Sequence, residues 1–264
     1  MANYTAKDVA TLRHMTGAGM LDCKNALEEA GGNLEEAAQV LRLKGLAGAA
    51  KRADREASEG AVAAVRSGDA AAVVELRCET DFVAKADDFV ALVDELAAVA
   101  AAKGEDALSE LNDEIDRLRT TLKENISLGR VRRLVAESGQ VVDTYLHQQA
   151  GRGVNAVAVV LEGGSDELAH DIAVHIAFTK PAYLSRDEVP QSEVEAERAT
   201  VLEISRNEGK PEAALEKIVD GRMNGWYKER VLLDQSYVRD EKQTITGMLG
   251  SARIVSFAQV VIGS

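Results

Sequence analysis

The stretch Thr80-Asp81-Phe82-Val83 combines an aromatic side chain with a carboxylate where a predicted strand connects to a predicted helix. An exposed Phe82 in such a connection could wedge between two elements of a partner protein, while the carboxylate of Asp81 would disfavour an anionic phosphate nearby. The alternative interpretation is that Phe82 anchors the helix and Asp81 caps it. The residues alone favour this packing role, and both interpretations stay open at this point.

The histidines and cysteines do not form a metal-binding pattern. His170 and His175 are five residues apart on one predicted helix, which is poor spacing for joint metal binding, so both are interpreted as structural or surface residues. His147 lies near the end of a predicted strand, where a lone histidine is more often a structural hydrogen-bonding residue. Cys23 and Cys78 lack a CxxC partner and are expected to be free thiols. We therefore expect neither a metal nor a cofactor.

Composition and motifs narrow the function classes. The sequence contains no GxxxxGK[ST], GxSxG, HExxH or paired-cysteine motif, which argues against the enzyme classes that these motifs mark. The formal charge of −13, from 31 basic and 44 acidic residues, disfavours direct binding of nucleic acid. No segment approaches the ~18 apolar residues of a membrane span, and the N-terminus has no targeting pattern. We therefore expect a cytoplasmic protein that does not bind a membrane.

Three short helices are predicted over residues 5–45, with a capping-box pattern at Thr5 and the last helix ending at Gly45. Each helix places apolar residues on one face. Residues 46–59 lack a clean apolar stripe and are typical of a solvated linker, either helical or extended. The sequence therefore predicts a compact N-terminal domain that, with the start of the linker, covers residues 1–54.

Two strand-strand-helix units are predicted to follow, as a degenerate internal repeat. The elements are predicted as strands flanking residues 67–69, helices over 89–102 and 108–122, strands over 141–147 and 154–161, a helix over 167–179 and a final strand over 253–262. This order predicts an α+β core with antiparallel sheets. One core subdomain is expected over residues 55–139, and the other over residues 140–187 and 227–264.

Residues 188–226 predict two antiparallel helices with a break at Gly209 and Pro211. Each helix has one narrow apolar stripe, as in a coiled coil, and such a stripe needs a partner to cover it. We therefore expect an inserted helical hairpin that projects from the core.

Two longer stretches carry a family resemblance. Residues 16–27, Thr-Gly-Ala-Gly-Met-Leu-Asp-Cys-Lys-Asn-Ala-Leu, and residues 78–84, Cys-Glu-Thr-Asp-Phe-Val-Ala, are similar to the two signature stretches of bacterial elongation factor Ts. His147, residues 171–181 and the Gly-Arg-Met at residues 221–223 match the same family in the same order. The resemblance extends from about residue 3 to residue 262.

The resemblance implies the fold class and its parts. It implies a three-helix N-terminal domain like ubiquitin-associated domains, a duplicated α+β core with antiparallel sheets, and an inserted helical hairpin of the dimerisation type. Many bacterial relatives continue into another helix after the last strand, whereas this sequence ends at Ser264. We therefore expect any partner contact made by that helix to be absent or replaced.

The resemblance also implies a function. It implies a guanine nucleotide exchange factor for elongation factor Tu in translation elongation, which performs no covalent chemistry and is not an enzyme. Such a protein binds elongation factor Tu carrying GDP, disturbs the magnesium and phosphate site, and holds the nucleotide-free form until GTP binds. A homodimer or a 2:2 complex through the helical hairpin is also implied.

The resemblance assigns roles to particular residues. Magnesium dislocation is assigned to the stretch from Thr80 to Val83, so that the wedge becomes the favoured interpretation of Phe82. Partner contact is assigned to a set of five residues: Leu12, Arg13, Met20, Leu21 and His147. We expect Met20 and Leu21 to lie on the loop between the first two helices. An adaptor that binds ubiquitin-like or nascent-chain partners is the alternative, but an adaptor would not need the stretch from Thr80 to Val83.

Overall fold

The computed structural model describes residues 3–263; residues 1, 2 and 264, which begin and end the predicted domains, lie outside the described residues. The first three helices are α1 Ala6–Thr16, α2 Met20–Glu29 and α3 Leu34–Ala50. They enclose a small core that includes Val9, Leu12, Cys23, Leu27 and Leu41. The predicted capping box is confirmed, because the Thr5 hydroxyl accepts a hydrogen bond from the Asp8 amide while the Asp8 carboxylate accepts one from the Thr5 amide.

The prediction that the third helix ends at Gly45 is wrong, because α3 continues to Ala50. Gly45 lies against Thr120 of a later helix, and a Cβ atom added at Gly45 would stand 2.2 Å from the Thr120 Cγ2 atom. The glycine therefore permits two helices to approach closely instead of ending one of them. Residues 46–50 of the predicted linker are consequently helical.

The first half of the core is a sheet of three antiparallel strands, in the order β1-β2-β3. The strands are β1 Glu59–Ser67, β2 Ala70–Cys78 and β3 Ser127–Val135. Between β2 and β3 lie α4 Asp81–Ala84, α5 Asp87–Lys103, a 3-10 segment Glu105–Leu111 and α6 Asn112–Leu122. The predicted hairpin and its following helix are confirmed. The strand β3 is missing from the prediction, because three arginines (Arg130, Arg132 and Arg133) obscure its apolar alternation.

The second half of the core is also a sheet of three antiparallel strands, in the order β4-β5-β8. The strands are β4 Gln140–Gln149, β5 Arg152–Glu162 and β8 Arg253–Val261, and α7 Asp166–Thr179 follows β5. The predicted strand pair, helix and final strand are confirmed. Each half therefore contains a hairpin followed by a helix, which together give a mixture of helices and antiparallel sheets.

The two sheets pack against each other, while α5 covers the outer face of the first sheet and α7 that of the second. At the interface between the sheets, Val62 and Val73 of the first half pack with Val142, Ala158 and Val160 of the second. The central strands β2 and β5 are therefore buried on both faces, which explains their nearly continuous apolar sequences.

The remaining elements lie between α7 and β8. The helices α8 Gln191–Asn207 and α9 Glu212–Arg230 pack together around Val201, Val219 and Met223. They are followed by the short elements β6 Ser236–Tyr237, β7 Asp240–Thr244 and α10 Ile245–Leu249. Within residues 3–263, no helix has both the length and the apolar character needed to cross a membrane.

Candidate partner-binding site

The connection between β2 and α5, residues 79–86, contains the short helix α4. Thr80 is the N-cap of α4, because its hydroxyl accepts a hydrogen bond from the Val83 amide at 3.4 Å. Val83 packs against the core of the first half, where Ala84 is fully buried. Burial also raises the pKa of the preceding Cys78 thiol to about 12. That thiol is therefore neutral and serves packing rather than chemistry.

Phe82 is 83% exposed, more than any other large apolar side chain in residues 3–263. The interpretation that Phe82 anchors the following helix is therefore wrong. The fully buried Phe89 anchors α5 instead. An exposed phenyl ring at a surface connection is typical of a side chain that a partner covers.

The carboxylate of Glu124, just before β3, fixes the backbone of the connection. Its Oε2 atom accepts hydrogen bonds from the amides of Glu79 and Thr80 at 3.0 and 3.1 Å, and its Oε1 atom accepts one from the Thr80 hydroxyl at 2.6 Å. The Glu79 side chain accepts another from the Asn125 amide at 2.7 Å. Because these bonds involve ionised acceptors, they are strong ones. Phe82 is thus presented by an ordered backbone.

Asp81 supplies a negative charge beside the exposed ring. Its carboxylate accepts a hydrogen bond from Lys85 Nζ at 2.5 Å, and this bond holds the pKa of Asp81 below its usual range. The carboxylate is therefore ionised at neutral pH. Asp81 does not cap the helix, because Thr80 occupies the N-cap position of α4. Lys85 balances the charge of Asp81 in the free protein.

The surface of the first two helices exposes large apolar side chains, among them Met20 at 50% and Leu21 at 68%. They are the first two residues of α2, so the prediction that they lie on the preceding loop is wrong. Arg13 is exposed in the last turn of α1. Leu12 is fully buried, so the prediction that it contacts a partner is also wrong. Leu12 lies three residues after Val9, and this spacing directs both side chains into the three-helix core.

His147 is exposed on β4, in the position predicted near the end of that strand. The other two histidines of this half lie on α7. His170 makes a 2.9 Å surface contact with the Asp143 carboxylate, whereas the buried His175 lies 2.9 Å from the Gln235 side-chain oxygen. Both agree with their interpretation as surface and structural residues. Among residues 3–263, no group of His, Cys, Asp and Glu is arranged to hold a metal ion.

An ion pair ties the three-helix region to the connection that carries Phe82. Lys123 Nζ lies 3.2 Å from the carboxylate of Asp22, which directly follows Leu21 in α2. Glu124, the residue after Lys123, accepts the hydrogen bond from the Thr80 hydroxyl. Two candidate contact regions are therefore fastened to the same short segment before β3.

Phe178 in the last turn of α7 is 74% exposed, and the sequence did not predict it as a site residue. The carbonyl oxygen of the neighbouring Ala177 accepts a hydrogen bond from Asn155 Nδ2 at 2.7 Å, and Asn155 is opposite His147 in the strand register. Asn155 therefore pairs with His147 and bonds to the residue that precedes Phe178. Helical periodicity could have found Phe178, because it falls outside the buried face of α7 formed by Ala169, Ile172, Ala173 and Ile176.

Comparison with known proteins leads to one family. The family model described as Elongation factor TS matches residues 79–264, a match that begins in the connection carrying Phe82. The chain is 47% identical to elongation factor Ts of Clavibacter michiganensis subsp. michiganensis, with 100% of both chains covered. It is 44% identical to elongation factor Ts of Kineococcus radiotolerans and 45% identical to that of Micrococcus luteus, again with 100% of both chains covered. The protein therefore belongs to the elongation factor Ts family.

Proposed function

We propose that the protein is a guanine nucleotide exchange factor for elongation factor Tu, acting in translation elongation in the cytoplasm. It binds elongation factor Tu carrying GDP, disturbs the magnesium and phosphate site, and releases GDP without covalent chemistry. It then holds the nucleotide-free form until GTP binds. Membership of the family supports this role. The 83% exposure of Phe82 is the observation that carries the mechanism.

Phe82 acts as a wedge in this proposal. Its ring is exposed before binding, and the hydrogen bonds to Glu124 order the backbone that presents it. A pre-ordered side chain loses less conformational entropy when it inserts into a partner. Burying a phenylalanine stabilises a complex by roughly 1.5–3 kcal/mol. In this proposal, that free energy stabilises the disturbed magnesium and phosphate site of the partner.

Asp81 acts through its charge. An ionised carboxylate close to the bound nucleotide repels the phosphates and competes for the magnesium ion. The low pKa of Asp81, caused first by the Lys85 hydrogen bond, keeps that charge in place at neutral pH. Thr80 and Val83 support these two residues, Thr80 as the N-cap and Val83 through its contact with the core. Within the signature stretch, the partner thus meets Asp81 and Phe82.

Two further surfaces contact elongation factor Tu in this proposal. One consists of Arg13, Met20 and Leu21, which are exposed at the end of α1 and the start of α2. The other consists of His147, which pairs with Asn155, and Phe178, which follows the Ala177 that accepts a hydrogen bond from Asn155. Three separated contacts allow the protein to hold a partner that has lost its nucleotide.

The proposed domains have the bounds predicted from the sequence. Residues 1–54 form a domain like ubiquitin-associated domains, residues 55–139 and residues 140–187 with 227–264 form the two core subdomains, and residues 188–226 form the helical hairpin. The hairpin serves association into a homodimer or a 2:2 complex, because it lies away from Phe82 in the sequence and leaves Ile204 of α8 45% exposed, although Val201, Val219 and Met223 are buried between its own two helices. Nucleic acid is not a direct partner, given the charge of −13.

Thermodynamic reciprocity tests the proposal. If the protein weakens the binding of GDP to elongation factor Tu, GDP must weaken the binding of the protein by the same factor. The measurement is calorimetric titration of elongation factor Tu with the protein, with and without saturating GDP and magnesium, together with release of fluorescent GDP. We expect weaker binding with GDP and magnesium.

The matched control is the double variant Asp81→Ala, Phe82→Ala, in which the antagonism between GDP and the protein should shrink. Equal affinities of the unaltered protein in the two conditions would rule out nucleotide exchange and favour an adaptor that binds elsewhere on the partner.

A further inference from the structure

Arg152, the first residue of β5, reaches from the second half of the core to the first. Its Nη1 atom donates a hydrogen bond to the carbonyl oxygen of Gly60 at 2.6 Å, and its Nη2 atom donates one to Glu59 Oε2 at 2.8 Å. Only 12% of the Arg152 side chain is exposed. Both acceptors belong to the first two residues of β1.

The backbone next to Arg152 also lies directly against β1. A Cβ atom added at Gly153 would stand 2.1 Å from the carbonyl oxygen of Val62. Glycine is therefore required for this approach. The end of the β4–β5 hairpin is thus packed onto the start of β1 by a side chain and by the backbone together.

The strand register carries this contact to the connection with Phe82. Glu59 pairs with Cys78, and Gly60 pairs with Arg77, at the end of β2 where the connection begins. The helix α4 also contacts β1. After Lys85, the charge of Arg152 is among the influences that lower the pKa of Asp81. Within the second half, Arg152 pairs with Gln149 of β4. Gln149 lies two residues after His147 in the sequence.

We propose that Arg152 is a positioning residue for nucleotide exchange, which fixes the Phe82 connection relative to the His147 surface of the second half. This inference rests on the proposed function. Arg152 acts through β1 and does not itself contact the partner, because its guanidinium is occupied by Gly60 and Glu59. Without Arg152, Phe82 and His147 remain present but their relative position is no longer held.

A double-mutant cycle with Phe82→Ala tests this role. Residues in one network couple, so Arg152→Ala should slow the release of fluorescent GDP by at least about threefold when Phe82 is present, and by much less in the Phe82→Ala background. Equal slowing in both backgrounds would show that Arg152 acts only through overall stability and would overturn the inference. Glu59→Gln provides the same cycle if Arg152→Ala does not fold.

Hydrogen exchange of the free protein gives a second readout that does not depend on elongation factor Tu. Arg152→Ala should raise the exchange of the Thr80 and Ala84 amides, whose hydrogen bonds lie in the connection. The matched control is Arg66→Ala. Arg66 also joins the two halves, through a 2.9 Å ion pair with Asp166, but it lies at the other end of β1.

The two readouts separate failure of the inference from failure of the proposed function. If Phe82→Ala alone does not slow GDP release, the wedge is wrong, while the exchange of the Thr80 and Ala84 amides still decides whether Arg152 holds the connection. If those amides exchange at the same rate in Arg152→Ala and in the unaltered protein, the inference is overturned. The same holds if Arg66→Ala raises their exchange as much as Arg152→Ala does.

Discussion

The two halves of the core join a central strand to a covering helix in different ways. In the second half, residues 163–165 connect β5 to α7, and the Ser165 hydroxyl caps the helix by accepting a hydrogen bond from the Leu168 amide at 3.1 Å. In the first half, residues 79–86 connect β2 to α5 and add the short helix α4 with the exposed Phe82. Both connections lead from a central strand to the helix that covers the outer face of its sheet.

The short connection shows what folding requires at this point. Three residues and one capping side chain are enough to turn the chain from a central strand into a helix on the outer face. The helix α4 and the exposed ring of Phe82 in the first half are therefore not needed to reverse the chain between strand and helix. Exposing a phenylalanine costs hydrophobic stabilisation, which is consistent with a gain made in a complex.

The largest expected effect separates the two exposed phenylalanines. Phe82→Ala should slow GDP release from elongation factor Tu by about tenfold or more, because the loss of roughly 1.5–3 kcal/mol of burial exceeds the 1.4 kcal/mol of a tenfold change. Thermal stability should stay the same, since the ring is exposed. The matched variant is Phe178→Ala, whose ring is 74% exposed in the second half; it should weaken binding of elongation factor Tu but slow GDP release less, because Phe178 is proposed as a binding contact and not as the wedge. A loss of exchange as large as that of Phe82→Ala would remove the special role of the first connection.

A smaller effect is expected from loosening the connection without removing Phe82. Glu124→Ala deprives two amides and one hydroxyl of their acceptor, and should lower the free energy of unfolding by about 1–2 kcal/mol. It should also slow GDP release, because Phe82 is then less well ordered. Denaturant unfolding and GDP release measure the two effects.

The matched variant is Ser165→Ala, which removes the N-cap of α7 and should cost about 1 kcal/mol of stability without slowing GDP release. If both variants slowed release in proportion to their loss of stability, the two connections would be functionally equivalent.

The two halves should also differ in their response to acid. His175 is the one buried histidine among residues 3–263, and burial lowers its pKa from the usual 6.5. The folded state therefore favours the neutral form of His175. Its contribution to the free energy of unfolding is fully present above pH 6.5 and is lost as the pH falls from there towards the lowered pKa.

The difference in acid response between the two halves is measured by amide hydrogen exchange near pH 6.5 and about one pH unit below it, corrected for intrinsic rates. At the lower pH, His175 is protonated more readily in the unfolded chain than in the folded one. We expect the second half to lose protection first. Equal loss in α5 and α7 would show that the halves unfold as one unit.

The smallest effect on exchange is expected far from both connections. Replacing residues 191–223 by a short linker should leave most GDP release intact, because the helices α8 and α9 pack mainly on each other around Val201, Val219 and Met223. Sedimentation should then show weaker self-association. A folded variant that no longer releases GDP would contradict the assignment of this region to association.

Local patterns in the sequence were enough for much of the fold. The capping box at Thr5, the two hairpins and the helices α5 and α7 follow from signals that act within a few residues, such as hydrogen bonds between neighbours and the period of apolar side chains. The family resemblance likewise rested on continuous stretches. The strand β3 was missed because its pairing with β2 is not encoded by its own alternation.

Tertiary structure decided which of the candidate residues can meet a partner. Leu12 of α1 and Leu21 of α2 are both leucines to which the resemblance assigns partner contact, yet one is fully buried and the other 68% exposed. The residues around Phe82, taken without the family resemblance, favour a packing role, and its 83% exposure contradicts that role. The close approach at Gly45 and the reach of Arg152 to β1 likewise join residues far apart in the chain. Burial and contact of this kind depend on how distant segments pack, and a pattern read along one segment does not contain that information.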